Sequence, residues 1–233
     1  MKNKIKAVLF DIDDTLYDRD LAQVKTLELI VQSLPSLFNH LKMARVTEAF
    51  LESDRITTDD FNSGAQSSNL RDSRSRLFLR LLGIAESYAD IITEIYVRDY
   101  PTVYAPIPGA VSVVEELSKR YQIGVVSNSM PDVQYRKLET LGLRNTLSCI
   151  ILSEEIGIRK PESGIFLHAA QLLGRQPAEC LFVGDSYTSD IVGAKKAGMQ
   201  TCWFNRTNAP LPDNEIKPDF VVGDLLEIPG LLK

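Results

Sequence analysis

Short apolar runs rich in β-branched residues recur along the chain at residues 5–10, 123–127, 149–152, 181–184, 201–204 and 220–222. Continuous apolarity over so few positions marks strands buried on both faces, because a half-buried strand would alternate with polar residues. Helical spacing fills the gaps between these runs: Val111, Val114 and Leu117; Val133, Lys137, Leu138 and Leu141; Ile165, Ala169, Leu172 and Leu173. Strand alternating with helix predicts an α/β fold, a Rossmann-like parallel sheet covered by helices. The punctuation fits, since Pro161 suits the first turn of a helix that Gly174 closes, and Gly142 and Gly198 stand where helix C-termini are expected.

From about residue 17 to 104 the rhythm changes. Leu27, Ile30, Val31 and Leu34, then Tyr88, Ile91, Ile92 and Ile95, keep helical periodicity with no alternating strand between them. This predicts an all-helical insertion after the first strand, residues 17–104, splitting the α/β core into 1–16 and 105–233. The exit Tyr104-Ala-Pro-Ile-Pro-Gly109 holds two prolines and a glycine, a stiff connector between two bodies. The polar segment 59–69, with Gly64 inside it, is the candidate mobile loop of the insertion.

Composition narrows the function classes. The 233 residues are 44% apolar and 24% charged, enough to bury a substantial core. A formal net charge of −5 without a basic run speaks against a nucleic-acid polymer as partner and leaves a small anion open. Cys149, Cys180 and Cys202 are widely spaced and lie in or beside apolar stretches, so they read as buried reduced thiols. No stretch reaches the length of a membrane span, and Asp11 interrupts an N-terminal run too short for a signal peptide. The expectation is a cytoplasmic protein without a membrane partner.

Candidate chemistry sits at the ends of the apolar runs. The first leads into Asp11-Ile-Asp-Asp-Thr-Leu16, where Asp11 and Asp13 share one face if the chain stays extended. Two such carboxylates repel and call for a cation or a shared proton, at the strand end where open α/β sheets place ligands. The second leads into Ser127 and Asn128, whose hydroxyl and backbone N–H suit a phosphate oxygen, while Ser129 with Asp132 reads as a capping box. Lys160, ahead of the next helix start, is badly placed for the helix dipole unless the two together hold an anion. Asp185 leaves the fourth run through Gly184 and suits a hard cation, with Asp190 placed to hold a metal-bound water or Lys160. Taken singly, each has an ordinary reading: an Asp cap, a solvent-facing lysine, an N-terminal helix residue.

Together, in this order, they resemble the haloacid dehalogenase-like (HAD) superfamily of phosphohydrolases. Its motifs match Asp11, Asp13 and Thr15; Ser127; Lys160; and Asp185 with Asp190, over nearly the whole chain. The resemblance implies strand order 5-4-1-2-3, a C1-type helical cap in the insertion and Mg²⁺ as cofactor. It further implies Asp11 as nucleophile forming an aspartyl-phosphate and Asp13 as acid and then base. Ser127, Asn128 and Lys160 would hold phosphate; Asp11, the backbone carbonyl of Asp13 and Asp185 would hold the metal; Thr15 and Asp190 would support them from behind.

Asp14 stands where many members carry Gly, a variant shared with a branch of nucleotidases, and residues 126–204 look most like the pyrimidine 5′-nucleotidase branch. A nucleoside 5′-monophosphate is therefore the expected substrate. Three rivals stay in view on the same fold: a sugar-phosphate mutase, a haloacid dehalogenase and a non-catalytic binding module. A dehalogenase has no need of Asp13 or a metal, and a binding module has no reason to keep the whole set. His40 and His168 read as structural, Trp203 as core packing, and Arg71, Arg74, Arg76 and Arg80 as a solvated face paired with Asp72.

Overall fold

The computed structural model of the chain describes residues 4–62, 70–212 and 216–232. Six strands form one parallel sheet: β1 (Ala7–Phe10), β2 (Gln122–Ser127), β3 (Cys149–Leu152), β4 (Cys180–Gly184), β5 (Gln200–Phe204) and β6 (Phe220–Val222). Their spatial order is β3-β2-β1-β4-β5-β6, the implied 5-4-1-2-3 extended by β6 beyond β5. Every residue of β1 and β4 is buried, as central strands covered on both faces must be. One face packs Leu9, Val126, Ile151 and Phe182 against Ile165, Phe166 and Ala169, with the rings of Phe166 and Phe182 edge to face at 4.9 Å.

The chain divides into two compact units, Asp20–Val103 and the segments flanking it. Among the described residues, every regular element of the first unit is helical: α1 (Arg19–Ser33, which starts one residue before it), α2 (Met43–Asn62), α3 (Leu70–Leu82) and α4 (Ala89–Asp99), with shorter turns between. The loop expected at 59–69 is helical in its first four residues, and 63–69 lie outside the described residues. Arg76 and Arg80 pair with Asp72 and Glu86 at the surface, as a solvated face would. Arg74 departs from that expectation. It is buried, with its guanidinium 3.2 Å over the Tyr96 ring and 3.5 Å from Asp54, and Gln23 donates to both Asp54 and the Tyr96 hydroxyl. A helical wheel cannot separate such a residue from its exposed neighbours, because a cation is drawn inward by partners on other helices.

In the α/β unit, α5 (Ala110–Ser118), α6 (Pro131–Thr140) and α7 (Ser163–Leu172) are the helices the periodicity predicts. Gly142, Gly174 and Gly198 take positive φ just past helix ends. Two start signals are misplaced. Pro161 precedes the N-cap position Glu162 instead of lying in the first turn of α7, and α6 starts at Pro131 behind Met130 with no side-chain cap, so the Ser129 and Asp132 capping box does not form. Cys149, Cys180 and Cys202 are buried and free, and burial pushes the Cys149 thiol up to about 12 and that of Cys180 to about 11. No helix among the described residues is long and apolar enough to cross a membrane.

Gly124 lies in the middle of β2, opposite Leu9 of β1 and Cys149 of β3. A Cβ there would sit 2.5 Å from Cys149 Sγ and 2.8 Å from Leu9 Cδ2, with no room in a central sheet to yield. Gly124→Ala is therefore expected to destabilise the fold by about 1–3 kcal/mol. Urea unfolding checks this: the midpoint should fall with the slope unchanged, and a midpoint equal to wild type would show that the strands part without cost.

Candidate active site

The site begins where β1 stops. The Asp11 amide still donates to the Val183 carbonyl of β4 at 2.9 Å, but from Ile12 onward the chain turns, with the Leu16 and Tyr17 amides both bonded to the Ile12 carbonyl. Asp14 sits in that turn at φ 58°, a left-handed conformation that suits glycine and that Asp tolerates better than most residues. The carboxylates of Asp11 and Asp13 each have their own partners.

Asp11 is buried beside Lys160. The Lys160 ammonium lies 2.6 Å from Asp11 Oδ1 and 2.7 Å from Asp190 Oδ1, with only 6% of the residue exposed. Lys160 is held by these carboxylates in the loop before α7, not by the dipole of that helix, which starts three residues later. Asn128 fixes that loop from β2: its side-chain amide donates to the Lys160 carbonyl and its amide oxygen accepts from the Lys160 N–H. Asp190 is fully buried in a π-helical turn, Tyr187–Val192, and its second oxygen accepts from the Ser186 amide. Gly184 makes that approach possible, since a Cβ at this position would overlap the Asp190 carboxylate.

Asp185 completes the group. Its backbone N–H donates to the Thr15 hydroxyl, which itself donates to Asp185 Oδ1, both at 3.1 Å, and Trp203 Nε1 donates to its carbonyl at 2.8 Å. Trp203 is thus a buried packing residue that also anchors the loop. Carboxylate oxygens of Asp11, Asp185 and Asp190 lie within 4.8 Å of one another. Three carboxylates face a single lysine there, and the imbalance shows in the acidity of Asp11 and Asp185. Burial, then the charges of Asp190 and Asp14, raises the Asp185 carboxyl to about 7. Burial raises Asp11 as well, with Asp190 and Asp185 adding to it against the pull of Lys160. Burial alone would lower the Lys160 ammonium, but Asp11 and Asp190 outweigh it and hold it protonated. A hard divalent cation with oxygen ligands fits this donor set and this charge deficit.

Asp13 belongs to a second cluster. Lys137 Nζ lies 2.5 Å from Asp13 Oδ1, and Gln134 Nε2 donates to Asp13 Oδ2 at 2.6 Å and to Ser127 Oγ at 3.1 Å. Burial pushes the Asp13 carboxyl up, and the Lys137 and Arg19 charges with the Lys137 and Gln134 hydrogen bonds more than reverse it. Sequence reasoning missed Lys137 and Gln134 as site residues. The available signal was that both fall three residues apart on the buried stripe of α6, where an apolar residue would be ordinary.

Comparison with known proteins agrees with the family that the motifs resemble. A family model described as a haloacid dehalogenase-like hydrolase matches residues 5–198. The pyrimidine 5′-nucleotidase YjjG of Escherichia coli is 28% identical over 230 residues, covering 97% of this chain and 96% of that protein. A glyceraldehyde 3-phosphate phosphatase of Methanopyrus kandleri is 29% identical, covering 94% and 93%. Among solved structures, magnesium-bound YfnB of Bacillus subtilis superposes with a TM-score of 0.84 at 25% identity, over 99% of this chain and 100% of that one.

The acidity of Asp185 gives a test of the cation site. A proton and a cation compete for that carboxylate, so Mg²⁺ affinity should fall about tenfold for each pH unit below about 7 and level off above it. A folded-state pKa raised above 3.8 also means that the cation-free fold loses stability as pH rises towards about 7. The gain in melting temperature on adding Mg²⁺ should therefore be small at pH 5.5, large at pH 8 and largely lost at pH 8 in Asp185→Asn. An equal gain at both pH values in the wild type would refute the assignment.

Proposed function

The chain belongs to the haloacid dehalogenase-like hydrolase family, and we propose that it is a Mg²⁺-dependent phosphomonoesterase that works through an aspartyl-phosphate on Asp11. The observation that carries this reading is the meeting of the Asp11, Asp185 and Asp190 carboxylates around one buried lysine. Such a deficit of positive charge is balanced by a divalent cation and exploited by an anionic substrate. A dehalogenase reading leaves both the cation site and the separately held Asp13 without a use. Relatives named as phosphatases and a nucleotidase span nearly the whole chain, which supports phosphate esters as the substrate class. A nucleoside 5′-monophosphate is the substrate proposed first, on the 28% identity with the nucleotidase.

In this reading an Asp11 oxygen attacks phosphorus in line with the departing oxygen and the P–O bond to the alcohol breaks, while Asp13, ionised in the free site, takes the proton that a monoanionic phosphate ester brings with it and passes it to the departing oxygen. Asp13, now ionised, takes a proton from water as the water oxygen attacks phosphorus. The bond from Asp11 to phosphorus breaks, phosphate leaves, and Asp13 gives up its proton to the departing phosphate, so that both carboxyl groups return to their starting states. Lys160 has three N–H donors, two of them used by Asp11 and Asp190, and the third serves a phosphoryl oxygen with Ser127 Oγ and the Asn128 backbone N–H. The Asp11 carboxylate, the Asp13 carbonyl and the Asp185 carboxylate would hold Mg²⁺, which would supply charge neutralisation for the transferring phosphoryl group. Thr15 and Asp190 hold Asp185 and Lys160 in place. The helical insertion, residues 17–104, is proposed as the cap that selects the substrate, because the motifs lie outside it.

Asp11→Asn replaces a nucleophile and metal ligand by a nearly isosteric amide that is poor at both tasks. Phosphate release should be abolished across a panel of nucleoside monophosphates, sugar phosphates and small phospho-acids with Mg²⁺ present, while the melting curve stays cooperative. Turnover within about tenfold of wild type, in protein free of deamidation, would sink the nucleophile assignment.

A further inference from the structure

Lys137 is a lysine where the helix pattern calls for an apolar side chain. Only 2% of it is exposed, and its ammonium lies 2.5 Å from Asp13 Oδ1 and 4.6 Å from the centre of the buried Tyr17 ring. Gln134, one turn earlier on α6 and wholly buried, donates to the other Asp13 oxygen while also reaching Ser127 Oγ. Taking a lysine and a glutamine out of water is costly, and a Met at either position would fill the space without that cost. Both donors converge on one carboxylate, one on each oxygen, and one of them is shared with the phosphate-binding hydroxyl.

We propose that Lys137 and Gln134 are positioning residues for Asp13, a two-pronged clamp that aims its carboxylate for the second half of the reaction, hydrolysis of the aspartyl-phosphate. The inference rests on the reading of Asp13 as acid and base. Lys137 and Gln134 offer only donors to Asp13, so the clamp matches the carboxylate that exists after the alcohol has left, and it fixes both oxygens of the group that must receive a proton from water. Neither residue takes part in bond making. The proton moves from water to Asp13, the water oxygen bonds to phosphorus, and the bond from Asp11 to phosphorus breaks, with Lys137 remaining an ammonium throughout. Misplacing a reacting group by an ångström costs on the order of 10²-fold, which sets the scale of the clamp's effect.

The partition between the two half-reactions exposes this role. With p-nitrophenyl phosphate the leaving group departs unaided, so kcat/KM reports formation of the phospho-enzyme while kcat reports its hydrolysis once that step limits. Lys137→Met should lower kcat by roughly 10- to 100-fold, lower KM in parallel, leave kcat/KM within about threefold and produce a burst of nitrophenolate equal to the enzyme. Gln134→Met should do the same by a smaller factor, and it keeps the test available if Lys137→Met does not fold. In an Asp13→Ala background neither change should have a further effect on kcat. The proposal is overturned if kcat is unchanged in the folded variants, if kcat and kcat/KM fall together, or if either loss multiplies with that of Asp13→Ala. A kcat in Asp13→Ala within about tenfold of wild type would instead refute the acid and base reading of Asp13, so the two failures are distinguishable.

Discussion

A buried ammonium joins three separate parts of the α/β unit. Lys160 comes from the loop ahead of α7, Asp11 from the end of β1 and Asp190 from the turn after β4, and the contacts of 2.6 and 2.7 Å leave none of the three free to move alone. Breaking such a pair by removing one partner strands a buried charge, so each member depends on the others. The rest of the site follows from it. Gly184 has no side chain because the Asp190 carboxylate fills the space, and Asn128 clamps the Lys160 backbone so that the ammonium stays aimed at Asp11. Lys160 still does not balance its neighbours, since Asp185 stands in the same group of carboxylates. The cluster is assembled one cation short, a charge deficit that a divalent metal fits and that a closed structural ion pair would not leave.

The second lysine divides the labour. Asp11 and Asp13 are two residues apart yet answer to different cations, Lys160 from the loop ahead of α7 and Lys137 from α6. The left-handed residue Asp14 belongs to the turn that follows both carboxylates, and the two carboxylates have separate partners. Separate surroundings suit the different roles proposed for the two carboxyl groups. The fold leaves the substrate undecided, as relatives named for a nucleotide and for a triose phosphate both span nearly the full chain.

The strands were legible because a parallel sheet covered on both faces leaves almost no polar position inside a strand, and the six apolar runs coincide with β1 to β6 within two residues at each end. Asp11, Thr15, Lys160, Asp185 and Asp190 were legible as candidates because each stands at a strand end or in the loop beyond it. Other features were not. Proline and serine near a helix start satisfy several placements equally well, which is why Pro161 and Ser129 were assigned to first turns and caps they do not occupy. Lys137, Gln134 and Arg74 sit on buried helix faces because of partners far away in sequence, Asp13 being 124 and 121 residues from the first two. Periodicity registers that such a position faces inward, but the reason for a polar residue there lies in tertiary structure alone.

The central claim is that Asp11 is the atom donor that takes the phosphoryl group, held in place by Lys160 and Asp190. Acid quenching during turnover of a phosphate monoester with Mg²⁺, followed by peptide mass mapping, tests it directly. The account predicts a phosphoryl group on the peptide containing Asp11, located on Asp11 by fragmentation, formed at least as fast as the overall turnover and absent from Asp11→Asn. Phosphate found on another residue, or full turnover with no phosphorylated peptide under conditions that preserve an acyl phosphate, would contradict it.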